Sequence, residues 1–104
     1  MSKAKKRASF RRWDPADHLK SKAEIAEYLT EIFNAAGDDP AVISAALGDV
    51  ARAYGVAKLA KATGLTREGL YKALSKDGNP SLGTLLKVAK AFGVRFAAEV
   101  SIAA

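Results

Sequence analysis

The feature that most restricts the fold of this 104-residue chain is interruption: helical periodicity runs through its middle, yet glycine, proline and cap-forming residues break it at short intervals. Apolar residues three and four apart mark a helix with one buried face. Ser21 with Glu24 three residues on has the form of a capping box, and Ile25, Tyr28, Leu29, Ile32, Phe33 and Ala36 follow at that spacing up to Gly37. All six are expected in the core. Asp39 and Pro40 open a second helix as cap and first residue, and its apolar positions Val42, Ile43, Ala46, Leu47, Val50, Ala51 and Tyr54 end at Gly55. Two shorter segments, VAKLAKA and TREGLYKALSK, are parted by Thr63 and Gly64 and closed by Asp77, Gly78, Asn79 and Pro80. Ser81 caps a fifth helix bearing Leu82, Leu85, Leu86, Val88, Ala89 and Phe92, which Gly93 ends. Isolated helices this short are marginal in water, so they must pack on one another, and the expected fold is an all-α domain of five helices.

The ends differ. From Val94 the period drops to two, with Val94, Phe96, Ala98, Val100 and Ile102 on one side and Arg95, Ala97, Glu99 and Ser101 on the other. That alternation predicts a β-strand over 94–102. A lone strand leaves its backbone groups unpaired, so this one is expected to pair with a second copy of the chain or with another protein; the alternative is a frayed C-terminal tail. Residues 1–12 are basic and poor in aliphatic side chains, which predicts a disordered arm. Asp14 before Pro15 suggests one short helical turn, and residues 13–104 are expected to form the single domain.

Charge is segregated. Residues 1–12 carry six bases and no acid, residues 13–50 carry eight acids against Lys20 and Lys22, and residues 51–104 carry nine bases against Glu68, Asp77 and Glu99. A basic second half suits a polyanion such as DNA, and an acidic first half suits a basic protein. The bland alternative is that these charges only solvate the surface. The chain has no cysteine and one histidine, His18, so neither disulfide nor clustered metal ligands are expected, and no cofactor. There is no paired-carboxylate site on separate elements, no Gly-rich phosphate loop and no Ser or Cys beside a base, so catalysis is not expected. With no apolar run of about 18 residues and no secretory signal pattern, the expected location is the cytoplasm.

Residues 56–75, VAKLAKATGLTREGLYKALS, have the composition of two helices crossing at a sharp turn. Ala60 is the small residue at the crossing, Gly64 the turn residue that tolerates positive φ, Leu59, Leu65 and Leu70 the apolar wedge, and Thr66 the cap of the second helix. With Leu70 and Leu74 turned inward, Thr66, Arg67, Glu68, Tyr71, Lys72 and Ser75 form its outer face. Arg67 is the best candidate for a base contact, since a guanidinium can make two hydrogen bonds to guanine in the major groove. Lys72 fits a phosphate. Glu68 either accepts from cytosine N4 or complements the helix dipole, and Tyr71 either meets a thymine methyl or phosphate or is partly buried. Lys58, Lys61 and Arg52 are placed to hold the DNA backbone, or are simply solvated.

This segment resembles the helix-turn-helix of phage-repressor-like (Xre-type) proteins, including a second glycine, Gly69, early in the recognition helix. From WDPADHL through AEIAEYL, ALGDVARAYGV, LAKATGLTREGLYKALS and NPSLGTLLKVAKAFGV the chain is similar to the HigA-like addiction-module antidote family. The resemblance implies an antitoxin that neutralises a RelE/ParE-type toxin and represses its own operon as a homodimer on double-stranded operator DNA. The arm before Trp13 lies beyond the resemblance. For the toxin, the acidic face of Glu24, Glu27 and Glu31, with Asp38 and Asp39 beyond it, is the natural docking surface; the 94–102 strand is the rival, as an addition to the edge of a toxin sheet. Trp13 and Phe10 are aromatic anchors for a partner or close the core. A phage-repressor-like regulator without a toxin is the competing function, and a pure protein-interaction module the next.

Overall fold

The computed structural model describes residues 19–100, so the basic arm, the Asp14–Pro15 turn, Phe10, Trp13, His18 and the end of the expected strand lie outside the described residues. The described part is all-α. Its helices are α1 (Lys22–Ala36), α2 (Pro40–Tyr54), α3 (Val56–Thr63), α4 (Arg67–Ala73) and α5 (Leu82–Phe92).

Among the described residues the expected side-chain caps form. The Ser21 hydroxyl accepts from the Glu24 N–H at 3.1 Å, the Asp39 carboxylate from the Ala41 N–H at 3.0 Å, the Thr66 hydroxyl from the Gly69 N–H at 2.9 Å and the Ser81 hydroxyl from the Thr84 N–H at 3.0 Å. These bonds satisfy N-terminal amide groups that a helix leaves without partners. The capping box of α1 closes one residue early, because Glu24 accepts from the Lys20 N–H at 2.8 Å rather than from Ser21. After α5, Gly93 donates to the Lys90 carbonyl and Val94 to the Ala89 carbonyl, a pair of bonds that seals the helix end.

One core joins the five helices, with Leu47, Val50, Leu59, Leu70, Val88 and Phe92 almost fully buried at its centre. The Tyr54 ring meets Phe92 edge-on, with centroids 5.5 Å apart. The Tyr28 hydroxyl of α1 donates to Asp49 of α2 at 2.8 Å, and Asp49 also pairs with Arg52. Burial, together with the Asp49 carboxylate, raises the Tyr28 pKa above its ordinary value.

One sequence expectation needs correction. Phe33, Val42, Leu82 and Leu86, assigned to apolar helix faces, remain exposed; the apolar stripes of α1, α2 and α5 are wider than one core can cover. Over the described residues 94–100 the expected 94–102 strand, whose expected partner is another chain, forms no ladder within its own chain. Val94 is drawn into the α5 cap, and the rest has no neighbouring strand in its own chain to build a ladder against.

Candidate nucleic-acid interface

Helices α3 and α4 and the turn between them bring the predicted DNA-facing residues together. Gly64 adopts a left-handed conformation, φ 77°, and its N–H donates to the Ala60 carbonyl. An L side chain there would cost roughly 1–2 kcal/mol, which is why glycine ends α3. Thr63 fastens the same turn: its hydroxyl donates to the Leu59 carbonyl at 2.8 Å and accepts from the Leu65 N–H at 3.2 Å. The sequence reading missed Thr63, although a threonine in the last helical turn, able to bond back to the carbonyl four residues earlier, is a readable signal.

Leu59 and Leu70 are buried and Leu65 is packed against the core, so the expected wedge fixes the angle between α3 and α4. Leu74 is buried beyond them. What remains outward on α4 is the expected set: Thr66, Arg67, Glu68, Tyr71 and Lys72 are exposed, while Ser75 is half-buried and donates its hydroxyl to the Lys72 carbonyl at 3.1 Å. Tyr71 is 55% exposed, so it is partly covered and still presents much of its ring outward. A cleft of about 40 Å³ beside it, walled by Gly48, Arg52 and Leu70, has room for little more than one water.

The candidate cations fall into two groups. Arg52 is paired with Asp49, and the Lys58 ammonium sits 4.4 Å from the centroid of the Tyr54 ring. Arg67, Lys61 and Lys72 have no ion-pair or ring partner among the described residues, and all three are exposed. Asp49 and Tyr54 engage the other two cations; the sequence marked Tyr54 only as an apolar helix position and Asp49 not at all, because each acts through a contact that periodicity does not encode.

The acidic candidates are on the outside of α1. Glu27 and Glu31 are exposed and make no hydrogen bond or ion pair among the described residues, whereas the Glu24 carboxylate is engaged with the Lys20 N–H. Among the described residues no group of His, Cys, Asp and Glu could hold a metal ion, and no helix is long and apolar enough to cross a membrane.

A family described as "Probable addiction module antidote protein" matches residues 9–100. A protein of Haemophilus influenzae, described only as uncharacterized, is 46% identical over 89 residues, covering 86% of this chain and 90% of that protein. No solved structure matches the chain significantly.

Proposed function

The chain belongs to the family of probable addiction module antidote proteins, and from that premise we propose that it is the antitoxin of a type II toxin–antitoxin pair, which neutralises a RelE/ParE-type toxin and represses its own operon as a homodimer. Membership of an antidote family implies a toxin partner of some kind; the finer reading is ours. In it, α3 and α4 act as a helix-turn-helix of the HigA-like, Xre type, and α4 enters the major groove. Arg67 reads a base, Lys61 and Lys72 hold phosphates, and Thr66, Glu68, Tyr71 and Ser75 complete the contact face, with Lys58 at its margin. The protein acts by binding in the cytoplasm and catalyses nothing.

The observation that carries the DNA reading is that α4, held by buried Leu70 and Leu74, presents Arg67, Tyr71 and Lys72 outward with neither cation engaged within the described chain. A cation already paired would have to break that contact before reaching a phosphate. The toxin reading draws on the exposed carboxylates Glu27 and Glu31, with Glu24 beside them, as a docking face for a basic protein.

Gel-shift binding to the DNA just upstream of its own gene, at two salt concentrations, tests the first half. The wild type is expected to bind specifically and more weakly at high salt, and the Arg67→Ala/Lys72→Ala variant to lose that binding. Equal binding by both proteins sinks the α4 reading. Co-purification with a small basic protein encoded beside this gene tests the second half; a protein that binds operator but captures no such neighbour is a stand-alone repressor.

A further inference from the structure

Phe33, Leu82, Leu86 and Phe96 are exposed, yet all four wall one groove of about 520 Å³, floored by Ile43 and Leu85. It runs between the end of α1, the first half of α2, the first half of α5 and residues 96–97. Leu82 is 69% exposed and Leu86 53%. A soluble protein rarely leaves such an apolar surface open unless something covers it.

Charge narrows the choice of occupant. Asp38 is the one charged residue in the groove wall, and Glu24, Glu27 and Glu31 take no part in it. A strongly basic partner would be drawn to those carboxylates, whereas a wall this poor in charge matches the apolar centre of a homodimer interface.

The segment after α5 supplies the second argument. Phe96 leans on Phe33 edge-on, with ring centroids 5.9 Å apart, but Val100, next but one in the same apolar series, is 88% exposed. Among the described residues the backbone of residues 95–100 makes no hydrogen bond to another backbone group. The alternation is therefore only partly used within one chain. The matching segment of a second copy carries the same pattern and can pair with it antiparallel across a two-fold axis.

We propose that this groove is the two-fold interface of the protein, where a second copy seats Leu82 and Leu86 against Phe33 and Phe96 while residues 95–100 of the two chains pair antiparallel. The inference rests on the homodimer in the functional reading and gives it a surface. No wall of the groove belongs to α3 or α4, so a dimer built there leaves both copies of α4 free for two half-sites.

Sedimentation equilibrium on the full chain tests it, using wild type, Leu82→Lys/Leu86→Lys and, as an independent variant, Val100→Glu. All three side chains are exposed, so helicity by circular dichroism should stay unchanged. The wild type is expected to be a dimer at micromolar concentration, and the lysine pair to weaken it at least about a hundredfold, as charge at an interface centre does. Because the chain lacks cysteine, single cysteines at Ala97, Ala98 and Glu99 report pairing directly. One of these positions should oxidise to a covalent dimer, and Ala62→Cys on α3 should not. A wild-type monomer, an unchanged dimer in both groove variants or absence of any cross-link overturns the proposal, as does a lysine variant that stays dimeric but no longer captures toxin. A groove-dependent dimer that binds neither operator nor toxin supports the interface and removes the antitoxin reading instead.

Discussion

The backbone carbonyl of Leu74, just past the end of α4, packs directly on Gly48 in the middle of α2, where any side chain would collide with it. The position of α4 thus depends on the absence of a Cβ at Gly48. Gly48→Ala gains up to about 1 kcal/mol in helix propensity but forces backbone to move, at a cost of about 1–3 kcal/mol for overpacking. Net destabilisation is expected, visible as a lower midpoint in thermal denaturation. Because the displaced element is α4, operator affinity should fall as well; a variant as stable as wild type would mean that α2 and α4 can separate freely.

Tyr28 makes stability depend on alkaline pH. Its pKa is raised by burial and by the hydrogen bond to Asp49, so the folded chain holds this proton more tightly than the unfolded chain, where the phenol ionises near pH 10. The contribution is complete below about pH 10 and declines as pH rises from there towards the folded value. Urea denaturation between pH 8 and pH 11 should show a steeper loss for wild type than for Tyr28→Phe. At neutral pH the same variant loses one hydrogen bond, about 1 kcal/mol. Parallel pH profiles for the two proteins would refute the coupling.

Thr63 and Thr66 flank the turn and have separable effects. Thr66→Ala removes the α4 cap and should cost about 1 kcal/mol. Thr63→Val keeps the branched shape but loses the hydroxyl that links Leu59 and Leu65. Hydrogen exchange is expected to rise at the Gly69 amide in Thr66→Ala and at the Leu65 amide in Thr63→Val. Faster exchange confined to the same amides in both variants would mean that the turn frays as one unit.

Four of the five helices were legible because their starts are chemical: Ser21, Asp39, Thr66 and Ser81 are cap residues acting on amides two or three positions away, whereas α3 begins at Gly55 without a side-chain cap. Local bonds of that kind are written in sequence spacing. The contact of Gly48 with Leu74 and that of Tyr28 with Asp49 were not legible, since each joins residues more than twenty positions apart. The groove was hidden for a related reason: Leu82 and Leu86 share the helical spacing of buried Val88 and Phe92. Periodicity marks a helix face as apolar without saying whether the same chain or another one covers it. The outer face of α4 was legible because burying Leu70 and Leu74 leaves Arg67, Glu68, Tyr71 and Lys72 no other direction.

The division among the cations gives the sharpest test of the DNA reading. Lys61 and Lys72 are exposed and without partners among the described residues, whereas Lys58 lies over the Tyr54 ring. If a lysine holds a phosphate, its loss lowers the dependence of log K on log salt by about 0.9. Lys61→Ala and Lys72→Ala should each flatten that slope by about this amount and weaken binding to all sequences alike. Lys58→Ala should leave the slope nearly unchanged and instead lower stability by about 0.5–1 kcal/mol, the worth of an exposed cation–π contact. Arg67→Ala should behave differently again, reducing discrimination between the operator and a single-base variant of it by about 1–3 kcal/mol. Binding titrations over a range of potassium chloride concentrations, paired with thermal denaturation, measure all four. A full slope change for Lys58→Ala with none for Lys72→Ala would place the DNA across α3 rather than along α4.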